Sequence, residues 1–346
     1  MQVRALKYAT PLIIFVGAYH SFTSTGFTIF LPLIYAWVFI PIFELIVKPD
    51  DRNMDNAEEE MAREDRLYDI WLYVVVAFQY IALYLFLRSM TDPQLKWWEI
   101  TGRIFVMGLL CGTFGINVAH ELGHRKKPFE QFLAKMLLLT SLYMHFFIEH
   151  NKGHHRNVST PEDPSSARYG ESLYAFYFRT VIFSYLSAWK IACRELQKNG
   201  LPAFHYKNEM LQFQIIQLIL IVVITWVFGP TICLYFIAAA IIGFLQLETV
   251  NYIEHYGLSR KKLEEGKYER AMPEHSWNSN HVLGRLMLFE LSRHSDHHYL
   301  ASRKYQVLRH HDDAPQMPTG YPGMMILSLL PLAWFYVMNK RVREKQ

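Results

Sequence analysis

The sequence predicts an all-α integral-membrane protein, with six transmembrane helices in three hairpins and a helical cap at one end of the bundle. Two observations predict it. First, 51% of the 346 residues are apolar and they fall in long runs: 70–87 contains one glutamine and no charge, and 211–229 and 231–247 contain no charge. About 20 helical residues cross a hydrocarbon core of about 30 Å, so each run is long enough to span. Second, short loops alternate with long charged segments between the runs, as hairpins require.

Six spans follow in order: 8–24, 26–47, 68–87, 98–119, 211–228 and 231–250. The first pair turns near Thr23 to Gly26, the second over 88–97 with Asp92-Pro93, and the third at Gly229-Pro230, a tight breaker pair. Arg4 and Lys7 precede an apolar stretch as in a signal peptide, but the apolar region continues into a second run with no small-residue cleavage site. A retained first helix is expected. The segments 48–67, 120–210 and 251–346 lie at the opposite end. The short turns carry only Arg88 and Lys96, whereas 120–210 carries twelve Lys/Arg and 251–346 carries fourteen. Basic loops stay on the cytoplasmic side, so the cap and both termini are expected there, under the inner membrane. The whole of 1–346 reads as one membrane-bound domain, and the acidic 48–67 as a solvated connector.

Two further apolar stretches need placing. The run 132–148 is long enough to span, but crossing would put His120 and His124 on the opposite face from His150 and His154; a buried or interfacial helix is expected. The run 322–338 is interrupted by Pro331 and reads as an interfacial helix under the membrane. Net charge is a mild +4, with basic residues in loops beside apolar runs, so nucleic acid is not a partner. Cys111, Cys193 and Cys233 are too scattered for a disulfide framework, a zinc site or a cysteine-ligated iron–sulfur cluster. No G-x-G-x-x-G fingerprint on a strand–helix unit offers a nicotinamide site.

Nine of the sixteen histidines concentrate in four segments: His120 and His124; His150, His154 and His155; His255; and His294, His297 and His298. His120 and His124 are one helical turn apart, as are His150 and His154; His294, His297 and His298 follow i, i+3, i+4. Each set is expected to aim two or three imidazoles at one point. The hairpins bring all four segments to one membrane face. Nine imidazoles exceed one metal's capacity, so two metals with four or five nitrogens each are expected, with positions left open. Imidazole suits zinc, copper, iron and nickel alike. Glu121, Glu149, Glu254 and Asp296 adjoin these histidines; a ligating ring commonly donates its other N–H to a carboxylate, and the bland alternative is a helix-surface charge. His20 reads as packed or interfacial, His145, His275 and His281 as pocket groups, and His205, His310 and His311 as solvated. A rival reading exists: His120-Glu121-Leu122-Gly123-His124 fits the H-E-x-x-H motif of zinc proteases, although it leaves the other clusters unexplained.

The segments HELGH, EHNKGHHRNVSTPEDP, NYIEHYGL and RHSDHH resemble the membrane-bound alkane 1-monooxygenase family, within the histidine-rich membrane di-iron enzymes that include fatty-acid desaturases. ARYGESLY (167–174), HSWNSNH (275–281) and PTGYPG (318–323) extend the resemblance, which covers most of the chain after about Tyr68. It implies two non-haem iron ions held by the nine histidines. It also implies O2-dependent terminal hydroxylation of medium-chain n-alkanes, with electrons from rubredoxin and its NADH-dependent reductase. Xylene monooxygenases share the clusters in looser form, and desaturases act on lipid-bound chains, so related oxidations remain alternatives. A channel among the spans, opening under the metals, is the expected pocket for a substrate that dissolves in lipid, but pattern alone does not pick its residues. The basic triplets Arg125-Lys126-Lys127 and Arg260-Lys261-Lys262 are candidates for docking an acidic donor or for membrane anchoring.

Overall fold

A computed structural model describes residues 2–263 and 266–345. Among them there is no strand. Five helices are long and apolar enough to cross a membrane: α2 (Phe27–Ile46), α4 (Arg66–Ser89), α5 (Trp97–Gly123), α9 (Glu209–Phe228) and α10 (Pro230–His255). The expected first span is built differently. Pro11 lies within a 3₁₀ turn, Lys7–Leu12, which runs into α1 (Ile13–Thr23). The eleven residues of α1 reach only about 16 Å, and about 28 Å with the 3₁₀ turn added.

Local chemistry explains the helix boundaries. Asn208 caps α9 by accepting from the Met210 and Leu211 amides. Gly229, at φ 91°, makes the reversal, and Pro230 starts α10 where its missing N–H costs nothing. Asp55 and Glu58 form a reciprocal capping box on α3 (Asn56–Glu64), so part of the acidic connector is helical.

The central helix is α5, most of which is buried, whereas α9 is mainly exposed along its apolar length. Small residues explain the difference. A Cβ on Gly108 would stand 2.5 Å from Ile242, one on Gly112 2.9 Å from Gln246, and one on Gly243 2.5 Å from Cys111. Backbones that approach this closely need glycine at the contact. α5 and α10 therefore run side by side toward the same end, where α5 delivers His120 and α10 delivers His255.

The cap fills that end. The run 132–148 is not one helix: α6 (Pro128–Leu139) stops, Leu142 takes φ 50°, and a new helical run, α7 (146–157), begins. Twelve residues cannot cross, so the chain returns to the side it left. α8 (Leu173–Lys198) follows α7 and leads to α9. After α10 come α11 (Val282–Met287) and α12 (His294–Tyr299). Pro331 divides 322–338 into α13 (Tyr321–Ser328) and α14 (Pro331–Arg343). Glu290 ties the cap to the chain's start, accepting from Tyr8 Oη at 2.6 Å and Arg285 Nε at 2.7 Å.

Candidate metal centre

The nine clustered histidines meet at one end of the bundle in two groups. His120, His124, His150, His155 and His297 form one; His154, His255, His294 and His298 form the other. Within each, one nitrogen per ring lies within 4.8 Å of all the rest. The first group is a chain of Nε2 contacts. His120 meets His297 at 2.9 Å, His297 meets His155 at 3.1 Å, His155 meets His150 at 2.9 Å, and His150 meets His124 at 3.1 Å. In the second, His154 meets His298 at 3.2 Å and His255 meets His294 at 3.3 Å, again through Nε2.

This partition corrects the expectation from spacing. His150 and His154 do not aim at one point. Residues His150–His154 form a π-turn, which widens the repeat so that positions five apart, not four, become neighbours. His150 therefore joins His155, and His154 turns to the other group. α12 divides as well: His294 and His298, at i and i+4, face one group while His297 faces the other. His120 and His124 behave as their spacing suggests, as do His294 and His298; a second π-turn, Cys111–Ile116, precedes His120.

The rings fit metal ions. Burial, and after it the charge of neighbouring groups, drives the His124 ring down to about 3 and holds His150, His155, His294, His297 and His298 well below the usual imidazole range. A neutral ring keeps a lone pair on one nitrogen, and these lone pairs converge in the interior. Two nitrogens each about 2.0–2.1 Å from one cation lie about 2.9–3.4 Å apart when adjacent around it, and the contacts above fall in that range. The outer nitrogens of His294 and His298 are buried without a partner, so no polar contact on that side turns these two rings away from the cluster.

The neighbouring acids divide unevenly. Glu254 Oε2 lies 3.1 Å from His294 Nε2, while its other oxygen accepts from Tyr321 Oη at 2.7 Å. Glu121 instead pairs with Arg125 at 2.5 Å and accepts from the Tyr305 amide at 3.2 Å. Asp296, fully buried inside α12, takes both oxygens' bonds from Arg303 Nη1 at 2.6 and 2.7 Å, the Arg309 amide at 2.8 Å and His311 Nε2 at 2.7 Å. Glu149 keeps a buried oxygen with no partner, and its burial and the nearby Asp163 and Glu248 carboxylates raise it well above the usual range.

Asp163 is the acid that sequence reasoning missed. Its Oδ2 lies 2.9 Å from His154 Nδ1 and accepts from Ser166 Oγ at 2.5 Å. Burial works to raise the Asp163 carboxyl, but the His154 ring and the Ser166 hydroxyl outweigh it and hold it low. The residue sits in the quoted EHNKGHHRNVSTPEDP segment, nine positions after His154, where helical spacing gave no signal.

The outlying histidines vary. His145 is buried between Tyr143 and Tyr185. His275 lies 3.3 Å from Glu269, His281 3.1 Å from Ser279 and His20 2.9 Å from Thr28. His310 and His311 are not simply solvated: His310 meets Asn280 at 2.9 Å, and His311 holds Asp296. His205 meets the Lys207 amide and the Tyr206 ring, both within its own turn. Arg125 is withdrawn from the docking surface, because its guanidinium is buried between Glu121 and Asp69.

A narrow cavity of about 70 Å³ leads from the apolar spans to both groups. Trp37, Leu109, Thr113, Met287 and Leu288 line its body, and His120, His150 and His294 close its inner end. Nothing in a run of apolar residues distinguishes those facing a cavity from those facing lipid, so these positions were invisible in the sequence.

Histidine clusters capping an all-helical membrane bundle define a class, the membrane-bound histidine-rich oxidoreductases. Residues 95–328 match the fatty acid desaturase family. More narrowly, the chain is 41% identical to alkane 1-monooxygenase 2 of Pseudomonas aeruginosa over 310 residues, covering 88% of this chain and 81% of that one. It is 38% identical to the alkane 1-monooxygenase of Ectopseudomonas oleovorans over 336 residues, 96% of this chain and 82% of that one. Similarity extends at 28% identity, over 70% of this chain and 64% of the relative, to a xylene/toluene monooxygenase hydroxylase component of Pseudomonas putida. The chain belongs to the alkane 1-monooxygenase family.

Proposed function

We propose that the chain hydroxylates the terminal carbon of medium-chain n-alkanes. The overall reaction takes one O2, two electrons and two protons, and yields a 1-alkanol and one water. The observation that carries this reading is the apolar cavity whose inner end is formed by histidines of both groups. A saturated chain offers nothing to hydrogen-bond, so a narrow apolar tube must present its end to the reacting centre.

Two iron ions are the expected occupants, one held by His120, His124, His150, His155 and His297, the other by His154, His255, His294 and His298. Bound iron would supply O2 activation and C–H oxidation; the protein's own residues bind, orient and exclude water. Phe146 stacks on the His150 ring at 4.7 Å and also lines the cavity, so one side chain both braces a ligand and keeps the inner end dry. Tyr321 fixes the Glu254 carboxylate against His294. The protease alternative fares poorly: Glu121, its would-be general base, is spent on Arg125 and the Tyr305 amide.

Electrons come from outside, because the described residues hold no cysteine cluster and the sequence no dinucleotide fingerprint. Rubredoxin, reduced by its NADH-dependent reductase, is the donor in this reading. The exposed Lys126, Lys127, Lys261 and Lys262 are available to meet an acidic protein. The 3₁₀ turn and α1 complete a sixth span, giving three hairpins in the inner membrane with the histidine end in the cytoplasm, as basic-residue placement requires.

The test is product analysis of the purified protein given n-alkanes, O2, rubredoxin, reductase and NADH, with metal content measured on the same sample. We expect 1-alkanols and two irons per chain. One zinc and no iron would overturn the reading. Turnover of methylarenes or acyl chains in place of alkanes would move the chain to the related oxidations.

A further inference from the structure

The helix α8 belongs to the segment 120–210 outside the spans, and its outer face has a pattern over seven turns. At four-residue spacing the exposed stripe reads Tyr174, Phe178, Ile182, Leu186, then Lys190, Arg194, Lys198. The first four are 49%, 76%, 52% and 53% exposed, and Phe183 beside them is 55% exposed. Contiguous apolar exposure of this size marks an interaction surface. The three basic residues make no ion pair among the described residues.

Position decides what covers this face. The Glu171 carbonyl, just before α8, accepts from Tyr252 Oη at 2.7 Å, in the last turns of α10. Near the other end, Cys193 Sγ lies 3.9 Å from Asn208, the cap of α9. Both anchors belong to the histidine end of the same hairpin, so α8 lies across the span ends rather than alongside them. Its apolar half continues into exposed Leu329, Leu330, Leu332 and Tyr336, joined through the Tyr174 Oη bond to the Leu329 carbonyl at 2.8 Å. Its basic half leads to Phe204 and Tyr206, 82% and 72% exposed, just ahead of α9. Aromatic side chains gather where span ends meet head groups.

We infer that α8 is a tilted, half-inserted membrane-surface helix: its 174–186 stripe lies among acyl chains, and Lys190, Arg194 and Lys198 bind anionic phospholipid head groups. The face is continuous with the exposed apolar residues of α14 and the turn before it, and its basic end complements a negative leaflet. The opposite face of α8 carries Thr180, which donates to Glu248 at 2.7 Å, and the flank of the stripe carries Tyr185, whose ring meets His145 at 5.3 Å. The lipid contact therefore bears on the scaffold of the metal centre. This inference rests on the chain being membrane-embedded and on no step of the proposed reaction.

The test uses the full protein in vesicles of phosphatidylcholine, alone or with added phosphatidylglycerol. In a Cys193→Ser background, nitroxides are placed singly at Ala175→Cys, Phe178→Cys, Ile182→Cys, Arg194→Cys and Lys198→Cys. At 175, 178 and 182 we expect collisions with O2 to exceed those with a water-soluble nickel chelate, and the reverse at 194 and 198. Added phosphatidylglycerol should draw the 182 label deeper. The triple variant K190Q/R194Q/K198Q should lose that response, since each basic side chain removed weakens docking about fivefold. Nickel access at 175, 178 and 182 would overturn insertion. Dipolar broadening in a singly labelled sample would do so too, because it would mean a second copy covers the face. A response to phosphatidylglycerol that survives the triple variant would overturn the head-group contact. None of these readouts uses turnover, so failure here is separable from failure of the hydroxylation reading.

Discussion

The five-histidine group and the four-histidine group are built from the same ring and share α7 and α12, yet their surroundings differ in charge. His120, His124, His150, His155 and His297 touch one another and, among the described residues, no carboxylate. The other group has Asp163 on His154 at 2.9 Å and Glu254 on His294 at 3.1 Å. A cation in the first would be held by neutral donors alone. A cation in the second would also feel two carboxylates, one of them 3.1 Å from His294 Nε2. The lesson is that equal ligand chemistry does not make equal sites: retention at one should depend on ring count, at the other on the acids behind the rings.

The largest effect should come from removing rings. His297→Ala breaks the Nε2 chain of the five-histidine group at two contacts, with His120 and His155. We expect it to lose one metal per chain and more than about a hundredfold in turnover, a larger loss than an outer carboxylate causes. His298→Ala should do the same to the other group. Metal content and folded yield measured together separate ligand loss from misfolding. Full metal and normal turnover in His297→Ala would mean that the rings do not act as a metal site.

Next are the acids, where the comparison sharpens. Asp163→Asn and Glu254→Gln should each weaken metal retention about 10–100-fold, and only at the four-histidine group. The expected outcome is a protein that holds one metal firmly and releases the other to a chelator. Equal release of both metals would show that the charge difference between the groups has no consequence.

How much of this could be read beforehand follows from the physics of each feature. The spans were legible because the bilayer demands long uncharged runs, and Gly229-Pro230 because it breaks a helix wherever it sits. The nine histidines were legible by density. Their partition was not. A π-turn at His150–His154 leaves no mark that i, i+4 spacing can detect, and it sends His154 away from His150. Asp163 was hidden because its bond to His154 closes a loop, not a helical turn. Trp37 and Leu109 were hidden because cavity-facing and lipid-facing apolar side chains share one alphabet. The 3₁₀ start of the first span was not legible because Pro11 can begin a helix or tighten it into a 3₁₀ turn, and neighbours decide which.

The pH response should be moderate and has a definite sign. Burial holds the folded His124 ring near 3, against an ordinary value of 6.5. Above 6.5 the ring is neutral in both folded and unfolded chains, and its contribution is fully present. As pH falls from 6.5 toward 3, only the unfolded chain takes up the proton, so stability is lost through that window. Metal binding needs the same neutral rings, so metal should leave over the same window. Unfolding followed by denaturant, with and without metal, checks it; stability that rises on acidification would contradict the buried neutral cluster.

The smallest effects compare two histidines outside both groups. His311 and His205 look alike in sequence, each a loop histidine without clustered spacing. In the structure His311 Nε2 bonds Asp296 at 2.7 Å, and Asp296 is the buried residue that fixes α12 between His294 and His297. Among the described residues the His205 ring meets the Lys207 amide and the neighbouring Tyr206 ring, in an exposed turn. Removing His311 leaves a buried carboxylate short of one donor, although Arg303 and the Arg309 amide still hold it. His311→Ala should therefore cost about 1–3 kcal/mol and loosen metal at both groups together, because α12 serves both. His205→Ala should stay within about 0.5 kcal/mol, with metal content and turnover unchanged. Thermal unfolding and metal analysis of the pair decide it. If His311→Ala proves as silent as His205→Ala, Arg303 and the Arg309 amide alone orient Asp296, and the His311 bond does not contribute to positioning the ligands.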